Sequence, residues 1–278
     1  MAKLVDAHGL GPCDFGLGGS NPLRGTNLLH FSMLFLLLFF LFTPKLIQAI
    51  NTDQVLNDHL YQRALYTKKL TEYQQKLQID QQFSSVSTQE DLIKITQEIL
   101  ALRALTLKTY LSYLKDSLSS HQDINLQATF DLQTKLSDWE NYLTDQISKI
   151  SNTTSLKDFK NLSLDFNTQY PQIQQTIYLS LIQFQLNLQS KTYQLLTQTK
   201  NDIQQNNPSL NPLWTDKINQ DLASFVSQNQ LLLDSIQKSQ NLSRLSRSYP
   251  SLQKQLDDNK QILSQIYLEL LKIKPKKP

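Results

Sequence analysis

The chain has 278 residues, with 27 lysines and arginines against 24 aspartates and glutamates and a formal net charge of +3 at neutral pH. So balanced a charge provides no long-range field to draw in nucleic acid, and no nucleic-acid partner is expected. The single cysteine, Cys13, excludes an intramolecular disulfide, and all six glycines precede residue 26, which excludes turn-rich β folds and Gly-rich phosphate loops from there on.

Residues 1–27 read MAKLVDAHGLGPCDFGLGGSNPLRGTN and carry no protein motif. Back-translation is more informative. Gly19, Ser20, Asn21 and Pro22 can be GGT TCG AAT CC, a T-loop with its closing stem, and Thr26–Asn27 can be ACC AA, which holds a terminal CCA. His8 to Cys13 can be CAC GGN TTA GGN CCG TGY, where CACGG pairs with CCGTG around a loop carrying TAG, a leucine anticodon. Leu4, Val5, Asp6 and Ala7 fit a D-loop as TTG GTA GAC GCG. The segment thus resembles a leucine transfer-RNA gene read as codons. The resemblance implies that translation begins near Leu28, Leu29 or Met33, that Cys13 and the glycines are artefacts, and that the genome is bacterial.

Residues 28–42 form an apolar run of 15 residues, broken only by His30 and Ser32. A membrane span needs about 20 apolar residues, whereas shorter runs suit the core of a signal peptide. Thr43 and Pro44 end the run, and Ala49 follows two places after Ile47. That order resembles a secretory signal peptide over residues 28–49, cleaved between Ala49 and Ile50. Against it, no positive charge precedes the core from Met33, and Lys45 lies on the wrong side. An uncleaved membrane anchor is the alternative, and a buried core helix the bland one.

Without Lys3, Arg24, Lys45, Asp6 and Asp14, the 229 residues from Ile50 hold 24 basic and 22 acidic side chains, a net charge near +2. Leucine, glutamine, serine, lysine and asparagine dominate, which suits helices with polar rather than charged surfaces. Thr52 can cap a helix to about Gln82, with Leu56, Leu60, Leu70, Tyr73 and Leu77 as its apolar positions. Residues 83–86 turn. Ser87 and Glu90 have capping-box spacing and open a helix to about Ser119. Its two stripes, one through Leu92, Ile95, Ile99 and Leu102, the other through Leu100, Ala104, Leu107, Leu111, Leu114 and Leu118, mark it as the central helix.

A third helix spans about 124–150 through Leu132, Leu136, Trp139, Leu143, Ile147 and Ile150. Ser155 and Asp158 open a short helix that Tyr170–Pro171 ends, because the residue before proline disfavours the α region. Pro171 then starts a helix to about Gln204, lined by Ile173, Ile177, Leu181, Phe184, Leu188 and Leu195. Residues 205–211 are the clearest loop. Asn211 and Pro212 start the next helix, with Ile218, Leu222, Phe225, Asn229, Leu232 and Ile236 as its core line, and 239–247 as a possible extension. Pro250 opens the last, whose heptad line runs through Leu252, Leu256, Asn259, Leu263, Ile266, Leu270 and Ile273. Asn259 is read as facing solvent at a bundle edge; fixing coiled-coil register is the alternative.

No residue pattern specifies catalysis. His59 and His121 stand alone, Asp257 and Asp258 read as solvated, and no serine lies in a Gly-x-Ser-x-Gly elbow. Trp139 and Trp214 read as core anchors, and Tyr61, Tyr66 and Tyr73 as core or groove residues. The sequons at Asn152, Asn161 and Asn241 are discounted with the bacterial reading. The basic tail, 274–278, is a solvated end or a contact to anionic polymer or lipid. The expectation is an all-α, elongated, coiled-coil-like antiparallel bundle of six or seven helices. It divides into a bundle over 50–204, the loop 205–211 and a helical hairpin over 212–273 that continues the bundle. No catalytic residue, cofactor or metal is expected, and membrane contact only through the apolar run. The functional expectation is an exported or surface-associated protein with a structural or protein-interaction role. A membrane-tethered coiled coil and a carrier of a lipid or other apolar ligand are the alternatives.

Overall fold

A computed structural model describes residues 46–120, 126–207, 211–239 and 241–273, with side chains from Asp53 on, that of Leu126 excepted. The apolar run 28–42, the segment 1–27, His121, Pro208 and the tail 274–278 lie outside the described residues. Those described are all-α, a bundle of six helices: α1 Leu46–Gln82, α2 Val86–Ser119, α3 Leu126–Ser151, α4 Leu156–Asn206, α5 Pro212–Lys238 and α6 Leu242–Leu271. None of these helices is long and apolar enough to cross a membrane.

The helix ends follow from side-chain capping, with one shift of register. The capping box before α2 is formed by Ser85 and Thr88, not by Ser87 and Glu90. Ser85 Oγ accepts from the Thr88 amide at 3.2 Å, and Thr88 Oγ1 accepts from the Ser85 amide at 2.9 Å. Two orphan backbone donors are satisfied reciprocally, and a hydroxyl serves at the position where glutamate was expected. Ser155 opens α4 as its spacing foretold, accepting from the Asp158 amide at 3.1 Å. Asn211 caps α5 by accepting from Leu213 N, with Pro212 in the first turn. Thr52 lies inside α1 and not at its start, because the helix already includes residues 46–51.

Two expected breaks are absent. Pro171 lies inside α4 and Pro250 inside α6. An internal proline leaves the carbonyl four residues earlier without its N–H and costs about 3 kcal/mol where nothing compensates. Here both prolines are exposed, as are Asn167 and Ser246, which hold the affected carbonyls, so water can take the lost bonds. Ile173 and Phe166, and Leu252 and Leu245, are buried on either side, and their packing holds the helix through the proline. The stretch 242–249 therefore belongs to α6, whose cap is Asn241, accepting from the Arg244 amide at 2.9 Å.

The chain divides into two compact units, each described by itself. The first comprises, of the described residues, 46–113 and 139–170. Its core gathers Tyr66, Tyr73 and Leu77 of α1, Leu92, Ile95, Ile99 and Leu100 of α2, Ile150 of α3 and Phe159 of α4. Gln97 Nε2 donates to the carbonyls of Ile150 and Ser151 at 3.1 and 3.0 Å, which ties α2 to the C-terminal end of α3. Lys69 of α1 pairs with Glu98 of α2 at 2.9 Å and, within α1, with Glu72 at 2.8 Å. These exposed pairs are worth at most about 1 kcal/mol each, so apolar burial dominates.

The second unit comprises, of the described residues, 114–120, 126–138 and 171–273. It holds two apolar clusters. One joins Leu196 of α4 to Ile218, Leu222 and Phe225 of α5 and Leu263, Ile266 and Leu270 of α6. The other joins Ile182 and Leu186 of α4 to Leu232 of α5 and Leu245, Leu252 and Leu256 of α6. Leu188 and Leu195, expected in the core of α4, are 44% and 50% exposed, and Leu60 of α1 is 48% exposed. Ile182, Leu186 and Leu196 take the buried positions on α4 instead, because 51 residues at 3.6 per turn drift away from a fixed three-four spacing.

Replacing Pro171 by alanine supplies the missing N–H and is expected to raise the unfolding free energy by about 1–3 kcal/mol. A urea titration followed by helical circular dichroism measures it. A helix that ended at Tyr170 would show no gain.

Candidate functional site

In the first unit, the residues marked by sequence are mostly structural. His59 is buried, its Nδ1 lies 3.1 Å from the Thr106 carbonyl of α2, and its ring packs on Tyr110 at 4.9 Å. Neutral imidazole with Nδ1 protonated donates this bond. Tyr66 and Tyr73 are core residues, whereas Tyr61 is exposed. Trp139 is half-buried and meets Tyr142 edge-on at 5.8 Å. Asn152 and Asn161, at two of the sequons, are exposed.

Arg103 is a buried residue that sequence reading passed over. It sits on α2 among Ile99, Leu102, Ala104 and Leu107, and a lone cation inside an apolar stripe was the available signal. Its guanidinium lies over the Phe166 ring, 4.0 Å from the centroid, and its Nε has no hydrogen-bond partner among the described residues. Burial draws its pKa down to about 10, with Tyr66 and Tyr142 compensating in part, so the group stays cationic at neutral pH. Beside it, Asp165 Oδ2 accepts from Tyr142 Oη at 3.2 Å and from Gln146 Nε2 at 2.7 Å. Burial, and then the Asp165 carboxylate, pushes the Tyr142 phenol far up, so it acts only as a donor. Nothing here pairs a nucleophile with a base.

The second unit contains a different arrangement. Between its two apolar clusters the same helix lines carry amides. Asn229 follows Phe225 and precedes Leu232 on α5, Asn259 lies between Leu256 and Leu263 on α6, and Gln189 lies between Leu186 and Leu196 on α4. Gln189 Nε2 donates to the Leu256 carbonyl at 2.7 Å and ties α4 to α6. Four amide oxygens nonetheless lack a partner among the described residues, those of Gln189, Asn229, Gln255 and Asn259, and so does Asn259 Nδ2. Asn259 is 1% exposed, which overturns the expectation that it faces solvent. The helix line that carries Leu256 and Leu263 inward carries Asn259 inward too.

A groove of about 520 Å³ opens between α5 and α6 over this layer. It is lined by Gln228 and Leu231 of α5, and by Gln255, Asp258, Asn259, Gln261, Ile262 and Gln265 of α6. Asp257 and Asp258 are both exposed. Below the groove, Trp214 is half-buried and its indole N–H donates to the Glu269 carbonyl at 3.3 Å, while Lys217 and Lys272 both pair with the Glu269 carboxylate at 2.7 Å. Those two lysines hold the Glu269 carboxyl below its usual range. Among the described residues no group of histidines, cysteines and carboxylates could hold a metal ion. The groove offers hydrogen bonding and modest apolar contact, which is the chemistry of binding. No protein-family model matches the chain, and no curated protein or solved structure matches it either.

Two outcomes follow from these environments. Burial, aided by Arg63 and opposed by the Thr106 hydrogen bond, lowers the pKa of His59. The unfolded chain, with a histidine pKa of about 6.5, therefore takes up the proton first as the pH falls. The stability that neutral His59 contributes is complete above about pH 6.5 and declines below it. The thermal midpoint is expected to fall between pH about 7 and about 5, and to fall less in His59→Gln. Separately, Asn259→Leu removes two unpartnered buried polar atoms and is expected to stabilise the fold by about 1–3 kcal/mol in a denaturant titration. A loss of stability there would mean that the amide is well paired in solution.

Proposed function

We propose that this protein is a non-catalytic binding protein with a structural or interaction role, exported from the cell or associated with its surface. The amide layer beneath the α5–α6 groove carries the reading: it holds buried amide atoms that have no hydrogen-bond partner among the described residues. A buried polar group without a partner costs about 1–3 kcal/mol, so several in one place mark a spot where stability is not the only demand. The lining is amide-rich, and it favours a polar occupant over the apolar ligand of a lipid carrier. Export rests on the apolar run 28–42 and on the small residue Ala49, with cleavage ahead of Ile50. The membrane-tethered alternative keeps that run as an anchor.

Two measurements test the proposal. Mass spectrometry of the N-terminus of the native protein is expected to find Ile50; an intact 28–42 run in the membrane fraction would favour the anchor instead. A photo-crosslinking residue at Gln261, on the groove rim, is expected to give a discrete adduct in cells, and one at Lys157, exposed in the first unit, none. Equal labelling from both positions, or none from either, would mean that the groove is not a binding site.

A further inference from the structure

We propose that the groove between α5 and α6 takes a neutral, hydroxyl-bearing ligand, a unit of an oligosaccharide. The inference rests on the reading of this groove as a binding site and names the chemistry of its occupant. Of the unpartnered atoms, those on residues that line the groove are the amide oxygens of Gln255 and Asn259, which need donors, and the Asn259 amide nitrogen, which needs an acceptor. A hydroxyl does both, and adjacent hydroxyls can meet the oxygen and nitrogen of one amide together. A metal ion or ammonium would serve the oxygens but leave Asn259 Nδ2 without an acceptor. An anion would find no cation in the lining, where Asp258 is the only charge, and a negative one.

The remaining surface fits the same class. Leu231 and Ile262 present apolar area, which the C–H face of a sugar ring can cover, beside Gln228 and Gln265, which can reach its hydroxyls. A volume of about 520 Å³ falls in the range of small-molecule sites. Asn259 supplies the independent observation. It lines the groove, is 99% buried, and has neither amide atom paired.

The test is calorimetric titration of the full chain with three probes: the trimer of N-acetylglucosamine, cellotriose and maltotriose. Saturable binding of at least one is expected, weakened at least tenfold by Asn259→Leu and unchanged by Lys157→Ala. Circular dichroism of Asn259→Leu checks that the loss is not unfolding, and Gln255→Leu gives a second variant on the same layer. No saturable heat with any of the three sugars would overturn the proposal, as would equal affinity in both groove variants. Saturation by spermine, titrated alongside them as a cationic control, with none by the sugars would replace the sugar with a cationic donor and overturn it too. If Gln261 still crosslinks while every sugar fails, the sugar assignment falls and the binding site stands.

Discussion

Leucine and isoleucine side chains driven out of water along helix faces hold this protein together, and nothing else in it is strong enough to do so. From residue 26 on the chain has no cysteine for a crosslink and no glycine for a tight turn. Its surface ion pairs, such as Lys69 with Glu98, contribute little in water. Each fully buried leucine, by contrast, contributes about 1.5–3 kcal/mol by leaving water. Leu111 and Leu118 of α2, Leu136 and Leu143 of α3 and Leu256 of α6 are all completely buried. The bundle follows from that demand, because a helix with an apolar face must lay it against another.

The same demand explains which local irregularities survive. Pro171 and Pro250 are tolerated because each lies on a solvent-facing turn while buried side chains before and after it keep their places. Arg103 stays in the core by placing its guanidinium over the Phe166 ring, with its charge met by aromatic rather than acidic partners. The amide layer of Gln189, Asn229 and Asn259 is costlier, since burial removes water without supplying enough partners. It interrupts two clusters that would otherwise run together, and it does so beside the groove. Polar groups in such a place narrow what can bind there, because any occupant must satisfy them as water would.

Much of the fold was legible because helix signals are local. Ser155 and the Asn211–Pro212 pair open helices where their spacing said they would, and the two stripes of α2 are buried almost throughout. The misreadings have a common origin. Proline, the capping hydroxyl and a polar residue in a heptad were each judged from their neighbours in sequence. For the prolines and Asn259 the outcome was decided by exposure instead, and for the cap by hydrogen-bond geometry. Ser85, two residues ahead of the expected cap, took the role because the turn after α1 brought Thr88 within reach of it. The groove itself had no motif, since glutamine and asparagine occur throughout the chain.

The amino-acid sequence by itself determined the all-α class, most helix limits and the absence of turn-forming glycine from residue 26 on. It also carries the apolar run and its small-residue end, on which the export reading rests. Those features depend on residues within a few turns of one another. Only the tertiary structure decided that the prolines lie inside helices, that Arg103 meets Phe166, and that Asn259 is buried rather than wet. Each of those depends on which face of a helix meets a neighbour, and a drift of a few degrees per turn over a helix of 51 residues changes that face.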